Sequence, residues 1–181
     1  MDERIPREWD KEALTLREVL AWVSEAVRRG RGEKREISHT LAQGFRMTLE
    51  REGAEILWKG KGNANYFIAG IEGVSIGISP FGSHEEWWEK PSDGFREEVK
   101  KRGCRWGVVL FMLPKKEGLW IEGADFDERV LRGREKVNSS EVRQARRARI
   151  ANSFSDSRRF IDLIKNPPKK PGELFLIPKP R

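Results

Sequence analysis

The stretch NYFIAGIEGVSIGIS, residues 65–79, predicts two short β-strands joined by a tight turn. Apolar and β-branched residues fill 65–71 and 74–79, and the Glu-Gly pair between them suits a two-residue hairpin turn. The segment AEILWKG (54–60) has the same strand-like composition, and KGNA joins it to residue 65 with residues that are typical of turns. We therefore predict an antiparallel meander of three strands.

Helices are predicted before and after this meander. TLREVLAWVSEAVRRG begins with Thr15 and Glu18 at the spacing of a capping box, and SHTLAQGFRMTLEREG begins at Ser38 and ends at Gly53. The segment PFGSHEEWWEKPSDG predicts a loop. It is followed by GFREEVKKRG, which predicts a shorter helix that ends at Gly103.

The second half of the chain predicts two more strands. WGVVLFMLP (106–114) is a nearly continuous apolar run, which is typical of a buried central strand. A short turn, KKEG, leads into LWIEG (119–123), which predicts the partner strand. The fold class expected from this order is α/β, with a central mixed sheet, a three-strand meander and flanking helices.

The remaining segments predict helices and an extended tail. ADFDERVLRG predicts a short helix, and residues 134–165 predict two more, which start at Ser139 or Ser140 and at Ser155 or Asp156. The proline-rich segment NPPKKPGELFLIPKPR predicts an extended tail. We divide the chain into an N-terminal arm and helix (1–35), an α/β core (36–133), a basic helical extension (134–165) and a proline-rich tail (166–181).

The order helix, three-strand meander, helix, strand, strand, over roughly residues 36–130, resembles the core of the restriction-endonuclease-like nucleases, a superfamily that includes Holliday-junction resolvases. The segments FRMTLEREGAEILWKGKGNANYFIAGIEGVSIGIS and RGCRWGVVLFMLPKKEGLWIEG carry this resemblance. It implies an Asp at the start of the second meander strand, and a Glu and a Lys two residues apart on the third. Such carboxylates hold a divalent metal ion that activates water for phosphodiester cleavage.

The three charged groups that the resemblance implies are absent from the matching positions. Asn65 stands nearest to the Asp position, and Gly77 and Ser79 stand at the Glu and Lys positions. We therefore expect a nuclease-like fold with a degenerate active site and no cofactor, which favours a protein that is not an enzyme. The alternative is an endonuclease that uses Mg²⁺ through displaced carboxylates, for which the candidates are Glu72, Glu97 and Glu98.

The charge of the chain predicts a nucleic-acid partner, with DNA favoured. Lys and Arg number 36 against 29 Asp and Glu, so the formal net charge is +7. A basic excess of this kind is the electrostatic mark of nucleic-acid binding, and the alternative is an ordinary solvated surface rich in charge. The expected phosphate contacts lie on two helices of the extension and in the meander: Arg143, Arg146, Arg147, Arg149, Arg158, Arg159, Lys59 and Lys61.

Two further groups in the loop after the meander are candidates for function. Trp87 and Trp88 are adjacent, and one of them could stack on an unpaired base, although the pair could equally plug the edge of the sheet. His84 is followed by two glutamates and offers a metal ligand or an acid–base group, with simple solvation as the alternative.

Several classes are disfavoured by what the sequence lacks. Cys104 is the single cysteine, which excludes an intramolecular disulfide and a cysteine-rich zinc site and fits a cytoplasmic setting. No P-loop motif, export signal or membrane-length apolar run occurs, so we expect no membrane partner. The apolar tail residues Leu174–Ile177 could add a strand to a protein partner or to a second copy, which leaves a non-catalytic interaction subunit as another alternative.

Overall fold

The computed structural model describes residues 5–61, 64–141 and 152–167. These residues form a six-stranded mixed sheet with helices on its two faces, and a separate two-stranded ribbon. The helices are α1 (Leu16–Arg28), α2 (Lys34–Arg51), α3 (Asp93–Arg102), the single turn α4 (Gly123–Asp125), which continues into a π-helix (Phe126–Leu131), and α5 (Ser157–Lys165). The strands are β1 (Glu55–Lys59), β2 (Phe67–Ile71), β3 (Val74–Gly82), β4 (Trp87–Glu89), β5 (Arg105–Met112), β6 (Glu117–Glu122), β7 (Lys136–Asn138) and β8 (Ser153–Phe154). The mixed sheet has the order β1-β2-β3-β5-β6-β8, and β4 and β7 form the ribbon.

The predicted meander is confirmed. β1 pairs antiparallel with β2, and β2 pairs antiparallel with β3. The turn between β2 and β3 consists of Glu72 and Gly73, whose φ angles are 47° and 85°. Positive φ at both central residues is the geometry of the tight turns that match the twist of a hairpin. β3 then crosses over through α3 to β5, which runs parallel to it, and β6 pairs antiparallel with β5.

The two faces of the sheet bury different helices. Helices α1, α2 and α5 cover one face, where Phe45 of α2 is fully buried and packs its ring 5.1 Å from that of Phe111 in β5. On the opposite face, Phe95 and Val99 of α3 cover the meander, while the π-helix covers β5 and β6. Alternate residues of each strand therefore reach different cores, as the two-residue period of a strand requires.

Several predicted helix ends are confirmed. Thr15 caps α1 by accepting a hydrogen bond from the backbone N–H of Glu18. Gly103 ends α3 in the left-handed conformation, with φ of 62°. Asp156 caps α5 by accepting from the N–H of Arg159. Each of these ends was predicted from local sequence, because a cap needs only residues within one turn of it.

The start of α2 differs from the prediction. The helix begins at Lys34 after Glu33, so Ser38 is not its cap but lies inside the helix. Its hydroxyl donates to the Lys34 carbonyl four residues earlier, which is the bond that serine makes when it stands in a helix interior. Residues 34–37, which precede the predicted start of the helix, therefore supply the first turn of α2.

The loop predicted after the meander is partly strand. β3 continues to Gly82, past Ile78, its last residue paired with β2. Pro80 is tolerated there because the strand has lost its β2 neighbour on that side, so a missing N–H breaks no bond to that neighbour. β4 was also predicted as loop, and it pairs with β7 in a ribbon of three residue pairs. In the described parts of the chain, no helix combines the length and apolar character that crossing a membrane requires.

Candidate functional site

A polar groove opens where β2 and β3 separate. Its volume is about 400 Å³, and we call it the strand-end groove. β3 forms its floor, and the residues that precede β2, the first two turns of α2, the ribbon strand β4 and the N-terminus of α3 form its walls. The lining residues are Arg35, Ser38, Asn65, Tyr66, Ser79, Pro80, Phe81, Glu85, Trp87, Glu89, Lys90, Pro91 and Ser92.

Two of the three positions singled out by the resemblance line this groove. Asn65 lies just before β2, and its side-chain oxygen is 3.1 Å from Nδ1 of His39, which donates to it. Ser79 lies on β3 and is 3% exposed. The structure thus brings Asn65 and Ser79 together at one end of the sheet, although neither carries a charge.

The third position, Gly77, is packed against side chains from α3 and β5. A β-carbon on Gly77 would lie 2.8 Å from Cγ2 of Val99, 3.0 Å from Cζ of Phe95 and 3.0 Å from Cβ of Trp106. Contacts this short require neighbours to move, and Phe95 is fully buried. The space that a longer side chain at this position would need is therefore occupied by hydrophobic groups.

The three carboxylates that were candidates for an alternative metal site, Glu72, Glu97 and Glu98, do not line the groove. Glu72 is in the β2–β3 turn, at the opposite end of β3, where it accepts from Arg158 at 2.8 Å and from Lys165 at 2.6 Å. The hydrogen bond from Lys165 lowers the pKa of this carboxyl. Glu98 pairs with Arg102 on the exposed side of α3, and Glu97 is exposed. Within residues 5–61, 64–141 and 152–167, no three His, Cys, Asp or Glu side chains are grouped to hold a metal ion.

The predicted phosphate-binding residues divide between the two ends of the sheet. Lys59 ends β1 opposite Phe67, at the same end as the groove, and Lys61 is exposed in the turn that follows. Arg158 lies at the other end, paired with Glu72, and Arg159 follows it on α5. Arg143, Arg146, Arg147 and Arg149 lie outside the described residues, as does the tail segment 174–177.

The two tryptophans have opposite environments. Trp88 is fully buried against Phe81, and its indole N–H donates to the Gly82 carbonyl at 3.1 Å. Trp87 is 43% exposed on the wall of the groove, with the Lys136 ammonium 4.6 Å from its ring centroid. They differ because successive residues of a strand point to opposite sides. Trp88 is thus part of a hydrophobic core, and Trp87 is the tryptophan that remains available for stacking.

His84 anchors the end of β3 to helix α2. Its Nε2 lies 2.9 Å from Oγ of Ser38 and 3.2 Å from the Lys34 carbonyl oxygen. A carbonyl oxygen only accepts, so Nε2 carries the hydrogen and donates, while the Ser38 hydroxyl donates to the same carbonyl. Burial lowers the pKa of His84 and favours its neutral form. These hydrogen bonds hold the segment after β3 against α2, and His84 is not oriented as a base that could activate Ser38.

The Glu85 carboxyl lines the groove and has a shifted pKa. Burial raises the pKa of its carboxyl, although one of its oxygens accepts from the backbone N–H of Gly82 at 3.2 Å. Glu89 on β4 raises that pKa further through like charge. The groove therefore combines two cations, Arg35 and Lys90, with two carboxyl groups of which one resists ionisation.

Arg35 and Lys90 were not among the predicted site residues. They lie 55 positions apart by their numbering in the sequence, on the first turn of α2 and just after β4. The local signal for Arg35 was the basic character of residues 29–36, but nothing in the sequence connected that segment to the loop after β3. Comparisons of the chain with protein-family models, with curated proteins and with solved structures find no match.

Proposed function

We propose that the chain is a nucleic-acid-binding protein whose core resembles the restriction-endonuclease-like nucleases but lacks their catalytic site. The order of elements supports the proposed core: α2, the meander β1–β3, the crossover helix α3 and the parallel strand β5 follow one another as the resemblance requires. DNA is the favoured ligand, in keeping with that resemblance.

The observation that carries the proposal is the composition of the strand-end groove. The exposed aromatic ring of Trp87 lines the same groove as the cations Arg35 and Lys90. Aromatic rings that stack on bases and cations that contact phosphates are the two elements of non-specific nucleic-acid binding. Lys59 and Lys61 lie at the same end of the sheet and extend the positive charge along the expected path of a strand.

The packing around Gly77 supports the non-catalytic part of the proposal. The resemblance places a metal-binding carboxylate at this position, and Val99, Phe95 and Trp106 leave no room for one. Asn65 and Ser79 line the groove with neutral groups, which are weaker magnesium ligands than carboxylates. A groove with this lining holds a nucleic acid through its own cations instead of through a bound metal.

The test compares two charge-removing variants in the groove with one near the far end of α3. Fluorescence anisotropy with labelled DNA would measure the affinities of the wild-type protein, of Arg35→Ala, of Lys90→Ala and of Lys101→Ala. Lys101 is the matched control, because it is exposed near the end of α3 that points away from the groove. We expect the two groove variants to weaken binding of every DNA and the control to leave it unchanged. Equal losses in all three variants, or no binding by the wild type, would refute the proposal.

A further inference from the structure

We infer that the strand-end groove receives a single unpaired nucleobase, stacked on Trp87, so that the preferred ligands are single strands and unpaired nucleotides rather than continuous duplex. This inference rests on the proposed function and specifies the ligand of the same groove. It depends on the size of the groove, on the way Trp87 is held, and on the polar groups opposite it.

The groove has the size of a small-ligand site. Its volume of about 400 Å³ falls in the lower part of the range of roughly 300–1,000 Å³ that is usual for small-molecule pockets. One base with its sugar suits a cavity of that volume, whereas a duplex, whose major groove alone is about 12 Å wide, can contact only its rim. The groove lies beyond the point where β3 loses its neighbour β2, so it is open to solvent and to an incoming strand.

Trp87 is held in position by its own strand. β4 pairs with β7, with Trp87 opposite Asn138, and the neighbouring side chain Trp88 is buried and bonded to the Gly82 carbonyl. Because Trp88 points inward, the backbone of β4 directs Trp87 outward. The Lys136 ammonium over the ring also restricts it and brings a positive charge next to the platform. A ring fixed in this way loses little conformational entropy when a base stacks on it.

The groove also carries hydrogen-bonding groups suited to the edge of a base. Asn65 offers an amide, Ser79 a hydroxyl and Glu85 a carboxyl group with a raised pKa. An unpaired base presents its Watson–Crick edge to these groups and a ring face to Trp87, whereas pairing and stacking in a duplex cover that edge and both faces. Arg35 and Lys90 provide the charge for the flanking phosphates.

The test compares ligands with and without bases. Single strands of about 12 nucleotides, within the usual site size of single-strand binders, would be prepared as DNA, as RNA and as a fully abasic sugar–phosphate strand, together with the DNA duplex. Wild-type protein is expected to bind the DNA or RNA single strand more tightly than the duplex and the abasic strand. The DNA and RNA arms decide which sugar the groove prefers.

Two variants then isolate the ring of Trp87. We expect Trp87→Ala to weaken single-strand binding by about 5- to 150-fold, the effect of removing one base–aromatic stack, and to leave abasic-strand binding unchanged. Trp87→Phe is expected to retain most of the affinity. Thermal unfolding verifies that both variants fold, which is expected because Trp87 is 43% exposed.

The outcomes separate this inference from the proposed function. Equal binding of the base-bearing and abasic strands, or a Trp87→Ala variant that binds single strands as well as wild type does, overturns the inference. If Arg35→Ala still weakens binding of all ligands in that case, the proposed function stands without it. If wild-type protein binds none of the four ligands, both fail together.

Discussion

The ring of Phe95 lies directly against Gly77: its Cζ is 3.0 Å from the position that a β-carbon on Gly77 would occupy. Phe95 is fully buried and packs edge-on against Trp106, with ring centroids 6.0 Å apart, so it has little freedom to retreat. The glycine on β3 is therefore a packing requirement of α3. The same contact removes the space in which the resemblance would place a metal-binding carboxylate.

Restoring a carboxylate at this position should destabilise the protein. We expect Gly77→Glu to lower the free energy of unfolding by about 3 kcal/mol or more, because it overpacks the contact with Phe95 and buries an unpaired charge. Urea denaturation followed by circular dichroism measures this change. Ser75→Glu is the matched control, since Ser75 lies on the same strand and is exposed, and its effect should stay within about 0.5 kcal/mol. A Gly77→Glu variant as stable as the control would show that α3 moves to accommodate the side chain at little cost in free energy.

Divalent metal ions should not confer nuclease activity on the protein. Glu72 is paired with two cations, Glu98 is paired with Arg102, and the described residues contain no metal-binding group of carboxylates. Purified protein incubated with Mg²⁺ or Mn²⁺ and with single-stranded, duplex and branched DNA is expected to leave every substrate intact on a denaturing gel. Cleavage that EDTA abolishes and that Glu72→Gln or Glu98→Gln reduces would establish the displaced-carboxylate alternative.

The stability of the protein should depend on the ionisation of Glu85. Burial raises the pKa of this carboxyl in the folded state, so its contribution to stability is fully present below its ordinary pKa of 4.5. That contribution is lost as the pH rises through the raised folded value. We therefore expect Glu85→Gln to be more stable than wild type at neutral pH, and the difference to disappear on acidification below 4.5.

Thermal unfolding across this pH range measures the effect of Glu85, with Glu86→Gln as the control. Glu86 is adjacent but exposed, and its substitution should leave the pH profile unchanged. Among the neighbouring groups, Glu89 acts on Glu85 through like charge, Arg35 and Lys90 line the same groove, and the half-buried His84 precedes Glu85 in the chain. A pH profile of Glu85→Gln that parallels wild type would mean that Glu85 is not the group responsible.

The same carboxyl group should weaken nucleic-acid binding at neutral pH. An ionised Glu85 in the groove repels phosphates, so the affinity for a single strand is expected to rise as the pH falls toward the raised pKa of Glu85. In the Glu85→Gln variant the affinity should already be higher at neutral pH, and that part of the pH dependence should be missing. Anisotropy titrations at constant ionic strength compare the two proteins. Identical affinities of the two proteins at neutral pH would show that Glu85 does not affect nucleic-acid binding.

Elements with local signals could be predicted from the sequence, and those built by distant pairing could not. The turn at Glu72 and Gly73, the Thr15 cap and the apolar run of β5 each depend on neighbouring residues, and all were predicted. β4 has three residues, and its partner β7 lies about fifty positions later, so neither shows a strand pattern of its own. Treating 87–89 as a strand would have assigned opposite environments to Trp87 and Trp88.

The candidate site was predictable only in part for the same reason. Asn65 and Ser79 lie at one end of the meander, and their proximity follows from the predicted strands because pairing in a hairpin fixes their relative positions. Arg35 and Lys90 join them through packing of α2 and the ribbon against that end, which no local pattern encodes. The reason for a glycine at position 77 could not be predicted either, because its packing partner Phe95 comes from the crossover helix.

The salt dependence of binding tests the proposed function most directly. Titrations of a labelled single strand with wild-type protein over a series of salt concentrations give the slope of log K against log [salt]. We expect a slope of about −0.7 for each phosphate contacted, hence about −3 if Arg35, Lys90, Lys59 and Lys61 all take part. Binding that is insensitive to salt, or the absence of binding to any strand at low salt, would contradict the proposal that this groove holds nucleic acid through its cations.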